Sequence, residues 1–113
     1  MIEKTVISYL NDNLGVPAYM EEPTRKLDEY IVVKVIDGGR TNLIDATTLD
    51  ITSYSTSLQG AAELNERVKE IMYAITSLDN ISSSKCGGGG QAIETNTKRY
   101  AYECIFNLYY MEE

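Results

Sequence analysis

The chain is expected to fold as an α+β domain: a mainly antiparallel sheet with an N-terminal helix and a central amphipathic helix packed on one face. Three observations predict it. From Tyr100 to Tyr110 every second residue is large and apolar or aromatic (Tyr100, Tyr102, Cys104, Phe106, Leu108, Tyr110), the period of a strand with one buried face. Between Ala61 and Leu78 the apolar residues instead step by three and four, the period of a helix. The order of segments is helix, several strands, helix, two strands, with no internal repeat.

Residues 2–14 begin the chain as a short helix, with Ile2, Val6, Tyr9 or Leu10, and Asn13 or Leu14 on one stripe and Gly15 as its C-terminal cap. Pro17 forces Val16 into an extended exit, so Ala18–Met20 is read as a brief strand. The charged stretch Glu21–Asp28, interrupted by Pro23, is a loop. Tyr30–Ile36 is nearly all apolar and β-branched, a well-buried strand. Asp37, Gly38, Gly39 and Arg40 supply a turn, since glycine tolerates positive φ. The return strand runs from about Leu43 to Tyr54, and its weak pattern at Asp45 and Asp50 suggests a bulge or an edge.

The central helix opens on a capping box, Thr56 with Gln59. Its buried stripe is Ala61, Leu64, Val68, Ile71, Ile75 and Leu78, widened by Met72; Glu63, Glu66, Arg67, Lys69 and Glu70 fill the other face, and Asp79 and Asn80 end it. Residues 82–90, Ser-Ser-Ser-Lys-Cys followed by four glycines, have the composition of a flexible loop. Gln91–Glu94 starts a strand, and Thr95–Lys98 turns it into the long C-terminal one.

At 113 residues the chain makes a single domain that buries roughly 65% of its unfolded surface. A net charge of −7 with scattered Lys and Arg argues against gripping a phosphate backbone. The absence of histidine removes the commonest general base, metal ligand and pH switch. Glu3 and Lys4 interrupt any apolar run at the N-terminus, so no secretory leader is expected, and no apolar run reaches the ~20 residues of a membrane span. Cys86 and Cys104 are expected as free thiols in a reducing compartment, the second as a small hydrophobe of the last strand.

No motif carries chemistry. Gln91 and Ala92 follow the glycine run where a phosphate loop needs a lysine and a hydroxyl. Asp45 with Asp50, or Glu21 with Glu22, lacks the converging oxygens of a calcium loop. A nucleophile would lack its base. No enzyme activity, metal or cofactor is therefore expected. Nine of the ten aromatics are tyrosines, a residue suited to both strands and interfaces. Tyr100 and Tyr102 have the phase of core residues, and Tyr109 faces the other way as the best aromatic contact.

Four segments together resemble the small tail terminator or tail completion proteins of long-tailed phages. They are the N-terminal amphipathic helix leading into Val16-Pro17-Ala18-Tyr19; the strand Tyr30–Ile36 after a Pro-containing loop; Ile51-Thr52-Ser53-Tyr54-Ser55 running directly into the helix Leu58–Leu78; and the strand from Arg99 to Leu108. Together they cover most of the chain. The Ser/Gly stretch at 82–90 departs from the pattern. The resemblance implies an α+β subunit without cofactor that assembles into a ring, six-fold in most members, caps the tail tube and presents a surface for head joining. It further implies tail-tube and head-connector proteins as partners, and a location in the host cytoplasm during assembly and then in the virion tail. DNA would pass through such a ring without being specifically bound, which suits an acidic subunit.

The family offers no binding motif to carry over. Contact residues are therefore expected in the three loops and on the second face of the last strand: Arg25, Asp37, Arg40, Lys85, Arg99, Glu103 and Tyr109. A head-completion or connector protein is the nearest alternative. A monomeric, non-catalytic peptide- or ligand-binding module is the alternative of another class.

Overall fold

A computed structural model describes residues 2–24, 27–41, 44–92 and 100–111. The order of elements is α1 (Ile2–Leu14), β1 (Ala18–Tyr19), β2 (Tyr30–Thr41), β3 (Ile44–Ser55), α2 (Leu58–Tyr73), a 3-10 turn (Ala74–Ser77), β4 (Ile81–Ala92) and β5 (Tyr100–Tyr110). The five strands form one sheet in the order β1-β2-β3-β5-β4. All neighbours are antiparallel except the short β1, which runs parallel to β2. The α+β architecture with both helices on one face is as expected.

The helix-covered face holds the main core. Ile2, Val6, Leu10 and Leu14 of α1 are all buried, the stripe read from their spacing. Gly15 follows at φ 77°, the left-handed position that ends a helix. Arg67 of α2 donates to the Leu14 carbonyl, which satisfies one of the acceptors left open at the end of α1. On α2, Ala61, Leu64, Val68 and Met72 are buried, Ile75 continues them in the 3-10 turn, and Ile71 and Leu78 are half-buried beside them. These meet Ile31, Val33, Leu49, Ile51, Cys104, Phe106 and Leu108 of the sheet.

Several expectations need correction. The α2 cap is Ser57, whose hydroxyl accepts from the Gly60 amide at 3.0 Å, not Thr56; Gln59 instead donates to Glu63, one helical turn on. Asp37 to Arg40 is no turn: β2 continues to Thr41 opposite Ile44, and neither Gly38 nor Gly39 has positive φ. What broke the pattern there is a bulge between Val35 and Asp37, which leaves Ile36 57% exposed. Asp45 and Asp50 lie in β3, an inner strand between β2 and β5, and neither marks a bulge or a sheet edge.

The Ser/Gly segment 82–90 is a strand, not a loop. It pairs with β5 along almost its whole length, with shifts of register between Ile81 and Ser83 and between Cys86 and Gly88. Gly88, Gly89 and Gly90 have φ of 154°, 134° and 148°, so backbone pairing holds here in a conformation that side-chain-bearing residues rarely adopt. The expected start at Gln91 is ten residues late; residues 93–99, including the expected turn Thr95–Lys98, lie outside the described residues.

Tyr100 and Tyr102 are not core. Tyr100 is 48% exposed and Tyr102 half-buried. The alternation of β5 buries its helix-facing residues only from Cys104 onward. At the other end the start of α2 sits over Ser55, where a side chain on Gly60 would collide with the Ser55 hydroxyl. There burial passes to the opposite face, where Ala101 joins Tyr30, Val32 and Tyr54 in a second small cluster. Tyr30 and Tyr54 stack with ring centres 4.6 Å apart, so Tyr54 is a core residue. Among the described residues no helix is long and apolar enough to cross a membrane.

Candidate functional site

The antiparallel registers place the residues of the helix-free face in straight rows across four strands. One row is Asp37, Thr48, Asn107 and Lys85, in the order β2, β3, β5, β4. The next toward the far end of the sheet is Gly39, Ala46, Tyr109 and Ser83. On the other side follow Lys34, Asp50, Ile105 and Gly88, and then Val32, Thr52, Glu103 and Gly90. Both helices pack on the opposite face, so among the described residues this one carries no helix.

Of the expected contact residues, Asp37, Lys85, Glu103 and Tyr109 therefore share one surface. Asp37 and Tyr109 line the same shallow depression of about 280 Å³, with Gly38, Thr48 and Asn107 between them. Asp37 accepts from the Gly38 amide at 2.9 Å, and its carbonyl accepts from the Thr47 hydroxyl at 3.1 Å. Thr48 donates to Asn107 at 2.8 Å, which fixes the polar centre of the row. Tyr109 is 50% exposed, and Ile44 and Met111 add exposed apolar surface at the same end of the sheet. Arg25 and Arg99 lie outside the described residues. Arg40 belongs to β2, but its side chain is outside them too.

Sequence reasoning missed the place of Asp50 on this face. Its carboxyl lies beside that of Glu103 in the neighbouring row and accepts from the Thr52 hydroxyl at 3.3 Å. Partial burial, and then the Asp50 carboxyl beside it, push Glu103 above the usual carboxylate range. Lys34 lies across from Asp50 in β2. No spacing in the chain announces this pair, because it depends on the register of β3 against β5.

The helix-covered side has its own concavity, a groove of about 420 Å³ between α2 and the glycine stretch of β4. Gly88, Gly89 and Gly90 line it with backbone alone. Cys86 is half-buried on its wall, and Cys104 is buried, with burial pushing its thiol up to about 12. The outer edge of β4 has no strand beyond it among the described residues. No three His, Cys, Asp or Glu side chains among those residues converge as metal ligands.

No protein-family model matches the chain, and no curated protein matches it.

Proposed function

We propose that the chain is a structural subunit of a phage or prophage tail, which caps the tail tube and helps form the head–tail joint by assembling into a ring. The observation that carries the proposal is the helix-free sheet face, which Asp37, Lys85, Glu103 and Tyr109 share, with Ile44 and Met111 exposed at its Tyr109 end. A mixed apolar and charged surface on a rigid sheet is suited to recognition by another protein, with the aromatic as anchor and the charges setting register. The outer edge of β4, without a partner strand among the described residues, offers a second means of joining subunits, by main-chain hydrogen bonding. A ring requires such head-to-tail contacts with a rotation that closes. The acidic chain would line a DNA passage without adhering to it.

The reading is tested by co-sedimentation with polymerised tail-tube protein. The wild-type chain should pellet with tubes in proportion to their ends, and Tyr109→Asp should remain in the supernatant. Equal pelleting of both, or absence of pelleting at any concentration, would overturn the assignment of this face.

A further inference from the structure

The groove between α2 and β4 has a feature that packing does not explain. Asn65 lines it, is only 5% exposed, and has no hydrogen-bond partner for its Oδ1 among the described residues. A buried acceptor without a donor is costly, and such an atom in a native fold calls for a reason. Leucine at this place would extend the apolar stripe of α2. The wall and floor supply Ala62, Cys86, Tyr102 and Cys104, and Glu63 and Glu66 stand at the mouth. Lys69 is already engaged with Glu66 at 2.8 Å, so the mouth is acidic overall.

We propose that this groove binds an arginine side chain carried by an extended segment of a basic partner protein. Each part of the site matches one part of that occupant. The outer edge of β4, which has no strand beyond it among the described residues, accepts the segment's backbone as an added strand. The apolar wall takes the aliphatic stem, as long cationic side chains are commonly accommodated. The Asn65 amide has a broad terminal torsion, so its Oδ1 turns to accept from the guanidinium, and Glu63 supplies the countercharge. The groove, about 420 Å³, has ample room for one long side chain. Gly89 brings β4 so close to β5 at the groove that a Cβ there would stand 2.3 Å from the Glu103 carbonyl oxygen. The chain's own charge of −7 favours a basic partner over a second copy.

The inference rests on the edge of β4 and on Glu103, both shared with the ring proposal, but not on Asp37, Lys85 or Tyr109, and its test needs no tail protein. The labelled full chain is titrated with acetyl-Val-Arg-Val-amide while amide chemical shifts are followed by NMR. Shifts should concentrate at Gly88, Gly89, Gly90 and the Asn65 side-chain amide, and the citrulline analogue should bind at least tenfold more weakly. Asn65→Leu should weaken binding of both peptides at least severalfold. Should that variant not fold, Glu63→Gln, an exposed change, should weaken arginine binding severalfold and reduce its salt dependence. Equal affinity for the two peptides, shifts elsewhere, or no shifts would overturn the proposal. So would the same shifts appearing on concentrating the chain alone, which would assign the groove to a second copy. Peptide binding in a chain that ignores tail tubes would leave this inference standing and remove the tail reading.

Discussion

Gly89 pairs with Cys104 across β4 and β5 so closely that a Cβ on Gly89 would lie 2.8 Å from the Cys104 Cα and 2.3 Å from the preceding carbonyl oxygen. Its φ of 134° adds backbone strain for any other residue. Gly89→Ala should therefore destabilise the fold by about 2–5 kcal/mol, combining strain and overpacking. Gly39→Ala is the control: a Cβ there meets nothing within 4 Å and φ is not positive, so stability should hardly change. Urea denaturation of the two variants compares them directly.

Phe106 is fully buried in the main core, and the Tyr73 ring meets it edge-on with centres 5.3 Å apart. Phe106→Ala should cost about 3–5 kcal/mol through lost burial and cavity formation. Ile71, half-buried on the flank of α2, should cost clearly less when cut to alanine. A thermal shift for Phe106→Ala no larger than that for Ile71→Ala would mean that the core is centred elsewhere.

The two cysteines should behave differently. Cys104 is 1% exposed and its thiol donates to the Ile51 carbonyl at 3.8 Å, while Cys86 is half-buried at the groove. A thiol reagent should modify Cys86 in the native protein and reach Cys104 only on unfolding. Because burial raises Cys104 from an ordinary 9.0 to about 12, the unfolded chain loses this proton first. Its contribution is thus fully present below pH 9 and falls between there and pH 12, by about 1.4 kcal/mol per unit at most. Cys104→Ala should flatten that alkaline limb, at the expense of some packing.

Glu103 titrates in the opposite region of the scale. Burial and the adjacent Asp50 carboxyl raise it, so the folded chain holds a proton that the unfolded chain releases. Stability from this pair is full below the ordinary carboxylate range and is lost as pH rises through the raised value. Glu103→Gln keeps a donor toward Asp50 without the second charge. It should raise the melting temperature slightly at pH 7 and remove the difference at pH 3, as differential scanning calorimetry at the two values would measure.

The helices were legible because one-sided burial imposes a period on consecutive residues. Ile2, Val6, Leu10 and Leu14 announce α1, and its end is marked by Gly15. Cys104, Phe106 and Leu108 announce β5 in the same way. Composition misled where backbone and side-chain signals part. Four consecutive glycines have no side-chain period to display, yet Gly88–Gly90 pair with β5 as a strand. At Gly38 and Gly39 the composition of a turn sits inside a paired strand. The candidate face was half legible: Tyr109 and Glu103 followed from the phase of β5, whereas Asp37 and Lys85 were expected in loops. Their meeting depends on registers between strands far apart in the chain, and so does the Asp50–Glu103 contact.

The most direct test of the tail-assembly reading is light scattering on a size-exclusion column across a concentration series, with and without purified tail-tube protein. A closed ring, or a subunit that joins tube ends and halts their growth, is the predicted result. A strict monomer that leaves tube length unchanged at every concentration would contradict it.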